Sequence, residues 1–303
     1  MNQSAHSTVI ITGASSGVGL YAALALAKRD WFVVMACRDV PKAEQAARAL
    51  GIPKDRYAVM AIDLGSQQSV RDFVSAFRRT GYPLHALVNN AAVYLPRLEE
   101  PARSPEGYEI SVATNHLGHF ALTGLLMPAL LAKPQSRVVN VASNAHRMVK
   151  GMNFDDLMAT KKYRAWNQYG QSKLANLLFT SELQRRLELV GSSMKAMVAH
   201  PGYSATNLTS GSARLRNKTM QAKVSDTVSS WFGQDAELGA LPILFAATAP
   251  NLAGDSYIGP DGWKEWKGYP KLVDRTNAAK DLDAARRLWD ISEDLTGVHF
   301  PID

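Results

Sequence analysis

Cysteine is nearly absent from these 303 residues: Cys37 stands alone. A single thiol excludes an intrachain disulfide framework and any cysteine cluster for zinc, and it points to a reducing cytoplasm. Long apolar runs are missing too. A membrane-spanning helix needs about 20 apolar residues in a row, whereas "LTGLLMPALL" is short and contains Pro128. The opening "MNQSAHSTVIITGAS" has no basic start followed by an extended apolar core, so no secretory leader is expected there. No repeat of fixed period and no low-complexity linker interrupts the chain, which reads as one domain over residues 1–303.

The composition, 46% hydrophobic and 20% charged, is that of a globular protein. Its formal charge of +7 admits three kinds of anionic partner: nucleic acid, lipid or a cofactor. Lys and Arg are scattered in pairs such as Arg78-Arg79 and Lys161-Lys162 and interleave with acids. A nucleic-acid surface is therefore not expected, while peripheral attraction to a membrane stays open.

Nearly all-apolar runs alternate with helical periodicity from the start. "TVIIT", "WFVVMAC", "YAVMAID", "HALVNNAA", "RVVNVAS" and "SMKAMVAHPG" read as strands, and the segments between the first five read as helices. That order predicts an α/β fold: a doubly wound, Rossmann-type parallel sheet in three α/β/α layers. Beyond the alternation, Ser204–Gln234 is polar except for Met220, Val224, Val228 and Trp231 at helical spacing, and it directly follows a strand end. Ligands of open α/β sheets bind beyond the carboxyl ends of strands, so a substrate lid is expected over 204–235. The end of the chain is read as a last strand, an aromatic loop and an amphipathic helix near Asp281–Leu295.

Between the first strand and helix lies "TGASSGVG", with Gly13, Gly17 and Gly19. Glycines there permit a tight turn and let a pyrophosphate approach the free N–H groups of the helix start. The second strand ends "ACRD". Arg38 at that position, with Lys42 one turn on, suits the 2′-phosphate of NADP(H), although Asp39 beside it would suit the ribose hydroxyl of NAD. Of ten tyrosines, Tyr169 alone has a lysine four residues later, Lys173. On a helix the two share a face, and an ammonium under a phenol would lower the phenol's pKa and make it a usable acid or base. His116 and His119 also share a face, but no third ligand accompanies them, so packing or capping is expected and no metal site.

"TGASSGVG", "NNAA", Asn115 in "TNHLGHF", Ser143 in "VASNAH", the Tyr169/Lys173 pair and "PGYSAT" occur in the order that resembles the short-chain dehydrogenase/reductase family. The resemblance implies that Tyr169 protonates a carbonyl oxygen as hydride arrives, Ser143 hydrogen-bonds the same oxygen, Lys173 holds the nicotinamide ribose, and Asn115 positions a water. It also implies a cofactor cradle: Gly13, Ser15, Ser16, Gly17, Val18 and Gly19 around the pyrophosphate, and Asp63 and Leu64 near the adenine. Asn90, Ala91 and Ala92 would lie on the adenosine side, and Pro201, Gly202 and Thr206 at the nicotinamide. Relatives commonly form dimers or tetramers through helices flanking the active-site segment, so a homo-oligomer is open.

The halves differ in their likeness. "NFDDL" and "HPGYSATNL" resemble the retinol-dehydrogenase-like branch, which handles hydrophobic aldehydes, ketones and alcohols. "VVMACRD" and "SPEGYEISVATNHLGHF" resemble light-dependent protochlorophyllide reductases. Those pigment enzymes carry Cys where this chain has Asn89 and Tyr203, which favours ordinary carbonyl chemistry on a small hydrophobic substrate. The change of likeness near Asn115–Arg137 leaves a mixed ancestry open, and a nucleotide-binding protein without catalysis is the remaining alternative.

Overall fold

The computed structural model describes residues 6–96, 98–202 and 236–302. The expected lid over 204–235, with Tyr203 and Thr206, lies outside the described residues. The strands are β1 (Thr8–Thr12), β2 (Phe32–Cys37), β3 (Tyr57–Ala61), β4 (Ala86–Asn89), β5 (Arg137–Val141), β6 (Lys195–Ala199), β7 (Tyr257–Pro260) and β8 (Pro270–Leu272). They form one sheet in the order β3-β2-β1-β4-β5-β6-β7-β8. All pairs are parallel except β7 with β8. Every residue of β1 and β2 is buried, which is why these runs carry no polar alternation.

Helices α1 (Gly17–Ala27), α2 (Val40–Ala49), α3 (Gln67–Arg79), α4 (Gly118–Leu131), α5 (Ala165–Leu189), α6 (Ala236–Thr248) and α7 (Leu282–Thr296) cover both faces. On one face, Val9, Ile11 and Met35 of the sheet pack with Leu26 of α1 and Ile243 of α6. On the other, Ile10 and Val34 pack with Phe73, Phe120 and Phe179 of α3, α4 and α5. α3 shows the local logic: Val70, Phe73, Val74 and Phe77 form its buried stripe, and the Ser66 hydroxyl accepts from Ser69 N at its start.

Two elements were not foreseen. α6 is apolar all round, its open side carrying Leu238, Leu241 and Phe245, so it lacks the polar face that marks an amphipathic helix, and Pro242 sits inside it. β8 is a three-residue edge strand that turns back on β7, making a hairpin where a single last strand was expected.

α7 is capped by Asp281, whose side chain accepts from Asp283 N and Ala284 N, and ends at Gly297 with φ 61°. It places Trp289 with ring centres 5.2 Å from Phe120, 5.8 Å from Phe179 and 4.5 Å from Phe300. α7 thus packs against α4 and α5. Trp289 is 1% exposed, so Trp289→Ala is expected to lower unfolding stability by about 3–5 kcal/mol. Urea unfolding measures this; a loss under about 1 kcal/mol would mean that α7 packs loosely.

Candidate active site

Strand order reverses between β1 and β4, and a cavity of about 670 Å³ opens where those strands end. It runs from Arg38 and Lys42 at one end to Ser143, Tyr169 and Lys173 at the other.

The glycine turn forms its floor. Gly13 has φ 68°, and a Cβ there would meet Ala91 Cα at 2.9 Å. A Cβ on Gly19 would fall 2.4 Å from Asn90 Nδ2, so the helix sits against the strand only because that atom is absent. Ser16 precedes α1 without a side-chain cap, leaving the helix's first N–H groups turned to the cavity that Ser15, Gly17 and Val18 also line. Asn90 is locked by Nδ2 donating to Thr12 O at 2.7 Å. The Thr12 hydroxyl accepts from Asn90 N at 2.9 Å and Ala91 N at 3.0 Å.

At the far end of β2, Arg38 and Lys42 are exposed, and neither side chain has a hydrogen bond or ion pair among the described residues. Asp39 is already used: its carboxylate accepts from Lys42 N at 3.0 Å and caps α2. Asp63 and Leu64 form part of the wall, with Asp63 Oδ1 accepting from Gly65 N at 2.9 Å. Ala92, Pro201 and Gly202 also line the cavity. An open helix start, a cradle without Cβ atoms and two uncommitted cations form a donor set that fits a dinucleotide with several phosphates.

Tyr169 and Lys173 lie on one face of α5, as their spacing predicts. Lys173 Nζ stands 5.7 Å from the centre of the Tyr169 ring and donates to Val141 O at 2.9 Å. The expected lowering of the phenol's pKa is corrected. Burial pushes Tyr169 up to about 12, even though a hydrogen bond with Ser143 pulls it down. Burial likewise brings Lys173 down to about 7. With both groups cut off from water, desolvation disfavours the charged form of each. At neutral pH the phenol is therefore a protonated donor, which is the form that general-acid work needs.

Ser143 leads a short turn, its Oγ accepting from Ala145 N at 3.2 Å. Asn115 lies in a π-helical turn, Ala113–Leu117, ahead of α4. Its side chain is fully committed: Oδ1 accepts from Val93 N at 2.7 Å, while Nδ2 donates to Val93 O and Ser172 Oγ at 3.0 Å each. The side chain thus ties the loop after β4 to α5.

Sequence reasoning missed two aromatics. Tyr94 and Trp166 line the cavity beside Tyr169, with ring centres 5.2 Å and 5.8 Å from the tyrosine ring. One lies in a loop and the other at the start of α5, so no periodicity links them. His119 was read as a packing residue. It is buried, and Nδ1 must donate to Asn115 O at 3.1 Å because a carbonyl only accepts. Nε2 then accepts from the Thr12 hydroxyl at 2.8 Å. This ring connects the glycine turn to the π turn. His116 meets Ser292 Oγ at 2.8 Å. No group of His, Cys, Asp and Glu among the described residues could hold a metal ion. Cys37, buried at the end of β2 beside Arg38, has its thiol pushed up to about 11 by burial. No helix among the described residues is long and apolar enough to cross a membrane.

A sequence model of the short chain dehydrogenase family matches residues 7–216. Human retinol dehydrogenase 13 is 37% identical over 97% of this chain and 86% of its own length. Carrot chloroplastic protochlorophyllide reductase is 34% identical over 96% of this chain and 78% of its own. Among solved structures, an uncharacterized protein from Mycobacterium paratuberculosis superposes with TM-score 0.77 at 41% identity, covering 97% of this chain and 95% of the other. RhlG of Pseudomonas aeruginosa, solved as an active-site complex with NADP, has TM-score 0.62 and 25% identity over 84% of this chain and 95% of its own.

Proposed function

Since the chain belongs to the short-chain dehydrogenase family, we propose that it is an NADP(H)-dependent oxidoreductase acting on a hydrophobic aldehyde, ketone or alcohol. One observation carries the reading: a single cavity joins an open helix start and two uncommitted cations to a buried, protonated phenol with Ser143 on the same wall. When bound, the nicotinamide supplies or takes the hydride.

In the reducing direction, Ser143 Oγ and the Tyr169 hydroxyl donate to the carbonyl oxygen, and Tyr169 transfers its proton as negative charge grows there. Lys173, of which a sizeable fraction is protonated at neutral pH, stabilises the phenolate left behind and holds the ribose of the nicotinamide. Asn115 fixes the loop carrying Val93 and Tyr94. Tyr94 and Trp166 present aromatic faces beside the phenol, which suits a flat apolar substrate. Gly13, Ser15, Ser16, Gly17, Val18 and Gly19 take the pyrophosphate. Asp63, Leu64, Asn90, Ala91 and Ala92 flank the adenosine, and Pro201 and Gly202 the nicotinamide.

Preference for NADP(H) over NAD(H) rests on Arg38 and Lys42 being uncommitted while Asp39 is spent on its helix cap. Arg38→Ala is expected to raise the KM for NADPH by about 10- to 100-fold, the worth of a charge-assisted hydrogen bond, and to leave NADH nearly unchanged. An equal change for both would remove Arg38 from phosphate binding.

A second reading, light-driven reduction of protochlorophyllide, is favoured by the 34% identity to the carrot enzyme over 96% of this chain. Asn89, counted against that reading, bears on it less than expected. Its side chain is 1% exposed and bonds Asn140 Oδ1 at 2.8 Å and Thr123 Oγ1 at 3.0 Å inside the sheet, away from the cavity. A panel of hydrophobic aldehydes, ketones and protochlorophyllide with NADPH or NADH, run in darkness and in light, separates the two. Dark oxidation of NADPH by a carbonyl compound supports the first reading; spectral change with the pigment only under illumination replaces it. Binding of NADPH with no turnover of any compound would leave a non-catalytic nucleotide-binding protein.

A further inference from the structure

Behind Pro201 and Gly202 sits a set of paired polar groups for which the proposed chemistry has no use: His200 is buried, Glu265 partly buried and Arg147 exposed. His200 has a fully buried side chain. Gly202 N donates to its Nδ1 at 3.2 Å, so the ring proton is on Nε2, which donates to Glu265 Oε2 at 3.1 Å. The slot for this ring is made by glycine: a Cβ on Gly259 would lie 2.0 Å from Nε2. Gly202 itself has φ 71°, and a Cβ there would fall 2.4 Å from Trp266 O. The aromatic loop after β7 is thus pressed directly onto the cavity wall.

Glu265 has a second attachment. Its Oε1 accepts from Arg147 at 3.1 Å, and Arg147 also donates to Asp274 O at 2.7 Å. Arg147 belongs to the turn that Ser143 leads, and Asn144 in the same turn donates from Nδ2 to Lys264 O at 3.3 Å. Lys264 and Glu265 are consecutive non-glycine residues with φ 49° and 57°. Side chains rarely adopt that conformation, which persists where the surroundings over-determine it. The contacts of Glu265 are what over-determine it here.

We infer that Glu265 is a positioning residue: through His200 it sets the backbone of Pro201–Gly202, and through Arg147 it sets the turn led by Ser143. The two strand ends facing the reacting groups, those of β5 and β6, are clasped to each other by one carboxylate from the β7–β8 loop. The clasp rests on the reading of this end of the cavity as the nicotinamide end. It adds a residue that touches neither substrate nor cofactor and lies 65 positions from His200 in the chain.

The test uses Glu265→Ala, Glu265→Gln and His200→Asn in the full-length chain. Readouts are kcat and KM with a hydrophobic aldehyde, affinity for NADPH, and affinity for adenosine 2′,5′-bisphosphate, which fills only the adenosine half. Glu265→Ala is expected to lower kcat by about 10- to 100-fold, as a displacement near 1 Å does. It should weaken NADPH several-fold while adenosine 2′,5′-bisphosphate affinity stays within twofold. Glu265→Gln, whose amide oxygen still accepts from His200, should recover most of the lost kcat. Wild-type kcat and NADPH affinity in Glu265→Ala, or parallel loss of both affinities, overturns the inference. If Glu265→Ala does not fold, His200→Asn, which keeps an acceptor for Gly202 N and drops the Glu265 contact, carries the same expectation. If the wild-type chain reduces no carbonyl compound, the activity reading fails on its own. The ratio of the two affinities in Glu265→Ala then still decides, and an unchanged ratio sinks the clasp.

Discussion

Tyr169→Phe is expected to lower kcat by roughly 10²- to 10⁴-fold, the worth of a positioned general acid, while NADPH affinity changes by less than about threefold. The phenol is 8% exposed and packed against Tyr94 and Trp166, so a phenylalanine ring keeps these apolar contacts and loses only the hydroxyl. Folding should therefore be nearly unchanged, the lost hydroxyl costing about 1 kcal/mol or less. Steady-state kinetics with a fluorescence titration of NADPH reads both quantities. Retained turnover would take Tyr169 out of its role, and lost cofactor binding would make the role structural.

Lys173→Met is expected to do two opposite things. Turnover should fall by roughly 10²-fold or more, because the phenolate loses its nearby cation. Stability should rise by about 1–2 kcal/mol, since an isolated buried cation is replaced by an apolar chain of similar length. Lys173 is 2% exposed, and its pKa falls from 10.5 in an open chain to about 7 in the fold. Below pH 7 the lysine is charged in both states and the fold bears the cost of burying it. Between pH 7 and 10.5 the unfolded chain holds more protons than the folded one, so wild-type stability from this group rises with pH. The advantage of Lys173→Met should accordingly be largest below pH 7 and shrink toward pH 10. Thermal melting across that range checks it, and an advantage that grows with pH would contradict the direction of the shift.

Much of this architecture was legible in the chain because its signals are local. All-buried strands such as "TVIIT" advertise a covered parallel sheet, the glycines of "TGASSGVG" mark a turn that only they can make, and Tyr169 and Lys173 are four residues apart. What stayed hidden depends on distance or environment. α6 has no polar stripe to betray it, and the β7–β8 hairpin is too short for a pattern. Tyr94 and Trp166 meet only after folding, as do His200 and Glu265. The direction of the Tyr169 shift failed for another reason: spacing shows that a cation is near but not that both groups lose their water.

The central claim is that this cavity passes a hydride to a carbonyl carbon while Tyr169 protonates the oxygen. The direct test is a dark incubation of the protein with NADPH carrying two deuterons at nicotinamide C4 and a turned-over hydrophobic aldehyde, followed by mass spectrometry of the alcohol. The account predicts one deuterium on the carbinol carbon of every product molecule and a solvent-derived hydroxyl proton. Alcohol formed without the label, or reduction that occurs only with protochlorophyllide under illumination, would contradict it.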